Sequence, residues 1–488
     1  MKRTITWLLL LALVLGLMGC ESNASQTETE QMEATQTEAT LSPITAFSVG
    51  YAKVDVTPDF SVPLNGYGNI ETRMSTGFLD RIYATCVAVT DARNETVLLF
   101  AYDMAAADPK FLMTLRASVS QYTGVPQNNI MLTASHSHSA PAVGSTKVPV
   151  QAKYDRQLIQ WMTQLAMDAM ADRKEAQMHI GAVEIVGQSF IRHYQLDDGT
   201  SVGYSSMIKN NAVAHQGIGD YTMQLLKFTR EGDKDVLMAN WQCHPHRTGG
   251  SAKYDISADI VGVIRDTLEA ELDCDFIYVQ GAAGNMNPTS LLPDEKVADS
   301  YIDQGREIAQ FVIDAGEGVY TQVQTGNVEL LRKDLDVKVD HSEDHLLPYA
   351  MEVQALWTAT NDRAKADALG QPNGVRSVYH AGRIVANNRL GDIDIMELNA
   401  ISFGDVAIVT AGYEMFCANG IYIKENSPYK MTIVMGYAND NNPYIPSVDS
   451  FAYEAYENDQ CRYEPGTGEM LAQTLVEMLE EVKQNGAE

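Results

Sequence analysis

The sequence predicts an α/β fold: a large mixed sheet flanked by helices, with a functional site at the carboxyl ends of strands. Three observations carry this. Short apolar runs rich in β-branched and aromatic residues, each closed by Gly or Pro, alternate with longer segments of helical spacing. Polar side chains able to bind a metal follow directly on several of these runs, at the edge where open α/β sheets build their sites. Residues 393–410 read as a hairpin rather than a crossover, which makes the sheet mixed.

Taken in order, Lys2 and Arg3 precede an apolar run, 5–17, that is too short to span a membrane and ends in Leu17-Met18-Gly19-Cys20. Residues 1–20 are therefore expected to be a lipoprotein signal peptide with a lipobox, an uncleaved anchor or ordinary signal peptide being the alternative. Cleavage would leave a lipidated Cys20 as the membrane attachment of an extracytoplasmic, cell-surface protein. Residues 21–46 are dominated by Thr, Glu, Gln, Ser and Ala and bury too little apolar surface to offset ordering, so they are expected to be a disordered tether. The folded body is expected over 47–488.

Within that body, strands are expected at 49–54 and 82–89, on either side of a turn-rich stretch with Gly66-Tyr67-Gly68. Further runs at 97–102, 129–134, 236–243, 276–279 and 406–410 lead into Asp103, His136, His244, the glycine-rich loop 281–288 and Glu414. Helical spacing marks 110–122, 154–171, 258–272, 299–315 and 468–483, and 342–370 reads as a helical insertion with a solvated charged face.

A formal net charge of −29 and a pI near 4.6 argue against nucleic acid as a partner, because phosphate binding needs clustered Lys and Arg. An anionic membrane surface is disfavoured for the same reason, and neutral or zwitterionic substrates remain. Beyond the lipobox, Cys86, Cys243, Cys274, Cys417 and Cys461 are scattered and odd in number, which does not suggest a disulfide framework.

The chemistry gathers around Ser135-His136-Ser137-His138-Ser139-Ala140-Pro141. If the strand continues through His138, its period of two points both imidazoles to one side, as a metal site requires. His244, at the end of a second run, is another donor, with His246 its nearby rival. Glu414 is a third donor or the cap of a following helix. Asp103 either orients a ligand His from behind or caps its strand.

These motifs, in this order, resemble the neutral/alkaline ceramidases and their shorter bacterial relatives. The resemblance runs from Gly50-Tyr51-Ala52-Lys53-Val54-Asp55-Val56-Thr57-Pro58 to Tyr456. It takes in Leu79-Asp80-Arg81, the His136 motif, Asn240-Trp241 with His244-Pro245, the glycine-rich loop, Gly412-Tyr413-Glu414-Met415-Phe416, Ala438-Asn439-Asp440 and Tyr444-Ile445-Pro446. It implies one Zn2+ per chain, held by His136, His244, Glu414 and Tyr444. Tyr444 is supported by a second site tyrosine twelve positions on, Tyr456, while Tyr453 is a competing choice. His138 and Arg192 are implied as further groups beside the scissile amide.

The implied activity is metal-assisted hydrolysis of the linear amide of an N-acylated substrate, a ceramide-like lipid or a smaller N-acyl compound. Zinc would lower the pKa of water toward ~7 and polarise the carbonyl. Arg192, Tyr456 or His138 would donate to the developing oxyanion, and His138 would move a proton to the leaving amine. Two departures stand out. Asn287-Pro288 occupies the place of a Ser-Pro pair in the family, so no serine nucleophile is available there, and the C-terminal β-sandwich of full-length members is expected to be missing. A zinc esterase or peptidase and a non-catalytic ligand-binding lipoprotein are the competing readings.

Overall fold

The computed structural model describes residues 44–486 apart from 68–69, 146, 204–207 and 209–210. The expected signal peptide with Cys20, the tether up to residue 43, and Gly68 lie outside the described residues. Among the described residues no helix is long and apolar enough to cross a membrane.

Nine strands form the large sheet: Ser48–Asp55 (β1), Tyr83–Thr90 (β2), Thr96–Tyr102 (β3), Ile130–Ala134 (β4), Lys174–Glu184 (β5), Thr222–Arg230 (β6), Val236–Trp241 (β7), Asp275–Gln280 (β8) and Thr321–Val323 (β9). Their order is β8-β7-β6-β5-β1-β2-β3-β4, with β9 beside β5. Val328–Lys338 (β10), Ile393–Phe403 (β11), Val406–Ala411 (β12) and Met431–Met435 (β13) make a second sheet in that order. The expected hairpin is the antiparallel β11–β12 pair. Most neighbours are antiparallel, but β3–β4, β7–β8 and β12–β13 run parallel. Each parallel pair sends two carboxyl ends in one direction, and the site residues follow those ends.

The two sheets pack face to face. Along β2 and β3, Val87, Val89, Val97 and Leu99 point into the space between the sheets, where they meet Ile401, Phe403, Ile408 and Ile433. The alternate residues Cys86, Ala88, Leu98 and Phe100 point the other way, as the period of two in a strand requires. Burial on both faces is why these strands read as unbroken apolar runs.

Helices Pro109–Thr123 (α1) and Gln151–Ala171 (α2) cover the outer face of β1–β4, and Asp259–Leu272 (α3) and Tyr301–Ala315 (α4) cover that of β6–β8. α1 starts at Pro109 behind Asp108, whose carboxylate accepts the Lys110 N–H at 2.9 Å, and stops at Gly124 in the left-handed region (φ 75°). The expectation of one sheet flanked by helices is thus refined. Helices coat the large sheet on one face only, and the second sheet takes the other.

The expected insertion, 342–370, contains Leu347–Thr360 (α5) and Arg363–Gly370 (α6), and Val378–Asn387 (α7) packs with them around a small core of Ala350, Val353, Ala366, Val378 and Ile384. Cys417–Asn426 (α8), the short Tyr456–Gln460 (α9) and Thr467–Asn485 (α10) complete the chain. α10 covers the outer face of the second sheet through Leu471, Leu475 and Leu479. β5, β6, β9, β10 and β13 had not been singled out from sequence. In β5 and β10 the interleaved charged residues mask the strand pattern.

The large sheet curls until its two edge strands, β4 and β8, come together. The segment after β13 lies in the seam: Gly436 N–H donates to Gln280 O (2.9 Å), Ala134 N–H to Tyr437 O (3.3 Å) and Asn439 N–H to Leu132 O (2.9 Å).

Candidate metal centre and active site

Beyond β4 the chain leaves the sheet. Ser135 N–H donates to Tyr102 O and His136 N–H to Met104 O, both at 2.9 Å, and His136 adopts a positive φ of 68°. The expected strand through His138 is therefore incorrect, because a left-handed residue breaks the alternation. The two rings still meet, with Nε2 atoms 3.1 Å apart, because of the turn rather than the pleat. His138 is held from behind: its N–H donates to Pro245 O at 3.2 Å, and its carbonyl accepts Arg73 Nη1–H at 2.9 Å. Gly66 (φ 105°) lies so close that a Cβ there would come within 2.4 Å of the His138 Cα.

His136 and His244 are oriented alike. A carbonyl can only accept, so His136 Nδ1–H donates to Ala105 O (2.7 Å), and His244 Nδ1–H donates to Ala283 O (2.8 Å) and Met286 O (3.1 Å). This fixes both tautomers with the Nε2 lone pair free, as in metal-bound histidines whose outer nitrogen is anchored. Those two Nε2 atoms lie 3.4 and 3.2 Å from Glu414 Oε2, a buried oxygen with no hydrogen-bond partner.

Glu414 is set by a two-residue parallel bridge to Tyr444–Ile445, and the Tyr444 hydroxyl stands 3.4 Å from His244 Nε2. The donor nitrogens of His136, His138 and His244 lie within 4.8 Å of one another. An orphaned carboxylate oxygen facing two free imidazole nitrogens fits a cation of the zinc type. His136, His244, Glu414 and Tyr444 are thus brought together, and His138 lies among them.

The electrostatics agree. Burial raises the Glu414 carboxyl, while positive charge at the His136 and His244 positions draws it well below the usual range. Burial, then the charge of Arg192, pushes His244 down to about 3 against the pull of Glu414. Burial and the three neighbouring histidines lower His138 well below its ordinary value. Neutral imidazoles and an ionised carboxylate are the forms a metal binds. Burial raises the Tyr444 hydroxyl, with Glu414 adding to the effect and Arg192 opposing it. One contrast separates the histidines: the buried His138 Nδ1 has no hydrogen-bond partner.

Arg192 approaches from the opposite wall. Its N–H donates to Asn285 O (3.0 Å), and its guanidinium lies 5.1 Å from the Tyr444 ring centre and 5.9 Å from that of Tyr456. Arg192 Nε donates to Glu457 Oε1 at 2.5 Å, and Glu457 Oε2 meets His193 Nε2 at 2.9 Å. Burial opposes both charges, yet Arg192 and His193 bring Glu457 down to about 2, and Glu457 raises Arg192. Arg192 Nη2 is buried without a hydrogen-bond partner.

Three alternatives resolve differently from the ligand set. Tyr453 is 2.9 Å from His193 Nδ1, on the far side of Glu457. His246 Nε2 is 3.0 Å from Asn287 Oδ1, which turns it toward the glycine-rich loop. Asp103 does not orient a histidine: its Oδ2 accepts from Arg265 Nη1 (2.6 Å) and from Tyr83 N–H (2.9 Å), while backbone carbonyls anchor the ligand rings. The strand-end reading of Asp103 holds, extended by an ion pair.

Sequence reasoning missed Glu457, Tyr437 and Gln280. Glu457, adjacent to Tyr456, was visible as a carboxylate but had no readable partner. Tyr437, whose ring lies 4.2 Å from that of His136, had no signal of its own.

Residues 47–284 match the family described as neutral/alkaline non-lysosomal ceramidase, N-terminal. Among solved structures, a ceramidase complexed with C2 is 17% identical with a TM-score of 0.68, over 90% of this chain and 76% of that one. The neutral ceramidase from Pseudomonas aeruginosa is 19% identical with a TM-score of 0.67, over 90% of this chain and 75% of that one. At such identities the likeness shows a shared fold. No curated protein sequence matches the chain.

Proposed function

We propose, from the match of residues 47–284 to the neutral/alkaline non-lysosomal ceramidase family, that this chain is a zinc-dependent amidohydrolase acting on the linear amide of an N-acylated substrate. The substrate class is a ceramide-like lipid or a smaller N-acyl compound. One observation carries the proposal: the free Nε2 atoms of His136 and His244, each anchored through Nδ1 to a carbonyl, converge on the partnerless Glu414 Oε2.

In this reading His136, His244, Glu414 and Tyr444 hold the ion. When bound, zinc supplies the Lewis acidity that activates water and polarises an amide carbonyl. The chain's own groups do the rest. Arg192, kept charged by Glu457, presents Nη2 beside Tyr444 and Tyr456, placed to donate to the amide oxygen as charge develops there. Tyr456 adds a hydroxyl on the same side. His138 starts neutral, and its Nδ1 has no carbonyl to satisfy. It is the group placed to accept the proton released by the attacking water and return it to the leaving nitrogen. No protein nucleophile is needed, and Asn287 instead accepts from His246. A lipid on Cys20 would hold this site at a membrane surface, where lipid substrates reside.

The test is metal analysis of the purified protein with a fluorogenic N-acyl panel that includes ceramide, simple amides and esters. About one zinc per chain is expected, lost together with amide cleavage in His136→Ala and Glu414→Ala. Full metal content in His244→Ala would refute the ligand set, and ester-only turnover would refute the amide assignment.

A further inference from the structure

His136 and His244 reach the site from opposite sides of the seam in the curled sheet. His136 follows β4, one edge strand; His244 follows β7, which pairs with β8, the other. No backbone ladder of the large sheet joins the two loops; their direct backbone link is the single His138 N–H to Pro245 O bond at 3.2 Å, two residues past His136.

Gln280, the last residue of β8, spans that gap. Its side chain is fully buried. The carboxamide Nε2 donates one hydrogen to Ser135 O at 3.0 Å and the other to Cys243 O at 2.7 Å. These carbonyls belong to the residues immediately before His136 and His244. The carboxamide oxygen faces donors, Gly281 N–H at 3.2 Å and the Tyr278 hydroxyl at 3.3 Å, so the amide orientation is the only one that satisfies every neighbour. The Gln280 backbone carbonyl accepts Gly436 N–H at 2.9 Å, tying in the segment that carries Tyr437 against His136.

We infer that Gln280 is a positioning residue whose carboxamide fixes the separation of His136 and His244 across the seam and thereby sets the metal affinity of the site. It touches neither ion nor substrate. Its two N–H groups are a matched pair of donors for two carbonyls that otherwise face each other across the join. A shorter amide cannot reach both, and a carboxylate of the same length repels both. The inference rests on the metal-centre reading above.

The experiment measures zinc affinity by chelator competition in the full folded chain for the parent, Gln280→Asn and Gln280→Glu. Phe228→Ala serves as a variant destabilised at a distance, in the core between the sheets. Outer positioning groups of metal sites are typically worth about 10- to 100-fold in affinity, and a weakening in that range is expected for both Gln280 variants. The zinc-induced rise of their unfolding midpoint should shrink in step. Phe228→Ala should lower the metal-free midpoint yet keep parental zinc affinity. Parental affinity in a folded Gln280 variant, a loss in Phe228→Ala as large as theirs, or failure of both Gln280 variants to fold would overturn the inference. A parent that binds no zinc would instead overturn the metal reading beneath it.

Discussion

Glu457 shows how much of the site depends on one buried side chain. Its carboxylate, with no solvent exposure, pairs with the Arg192 guanidinium and hydrogen-bonds the His193 ring through its second oxygen. Its pKa is about 2 in the fold against an ordinary 4.5. The unfolded chain therefore binds the proton more readily, so the stabilisation from Glu457 is complete above about pH 4.5 and is lost as pH falls through about 2. In Glu457→Gln that acid dependence should flatten. At neutral pH the variant should lose about 3–5 kcal/mol, because the Arg192 charge is left buried without its partner. Urea unfolding of metal-free protein across pH checks both. Arg192→Lys keeps the charge but loses the planar fork that serves Glu457 and the site at once. Retained zinc with kcat lowered by about 10²–10³ is the expected result for loss of an oxyanion donor.

Elements place these side chains through unusually close backbone contacts. The loop after β8 approaches the Glu414 segment so tightly that Gly284 N–H donates to Met415 O at 2.7 Å, and a Cβ on Gly284 would come within 2.6 Å of Glu414 O. Backbone cannot yield as a flexible side chain does. Gly284→Ala should cost about 1–3 kcal/mol of stability, as overpacking does, and should weaken zinc binding by displacing Glu414; calorimetry and chelator competition measure the two effects. The short helix α9, which carries Tyr456 and Glu457, is pinned in a similar way from the segment just after the insertion: Asp459 accepts from Arg376 Nε at 2.9 Å and from the Ser377 hydroxyl at 2.7 Å.

At the scale of the whole molecule, the proposed ligands His136, His244, Glu414 and Tyr444 are spread over about 300 residues of chain, which only the folded body brings together. On the proposed reading, zinc should bind the native state far better than the unfolded one and stabilise it by mass action, by about 2.7 kcal/mol at free zinc 100 times Kd. Thermal unfolding should shift upward with zinc and return on chelation, and the shift should be absent in His136→Ala. A zinc-independent midpoint in the parent protein would contradict a centre built across the two sheets.

Much of this was legible in the chain. Apolar runs ending in His136, His244 and Glu414 mark strands whose carboxyl ends build a site, because solvent-excluded strands are apolar throughout while ligands must be polar. The helices α1 to α4 and α10 were visible from their 3.6-residue spacing. What covers each face was not legible, since an apolar strand face looks the same whether a helix or a second sheet lies on it. Nor was the geometry at His136, where a left-handed turn does the work expected of a strand. Asp103 and Arg265 are 162 residues apart, and Gln280 acts on carbonyls 145 and 37 residues away. Backbone carbonyls carry no residue identity, so no side-chain pattern announces them as partners. The sequence by itself determined which residues can bind and which runs deliver them; tertiary structure alone decided their spacing, because the curl of the sheet brings its opposite edges together.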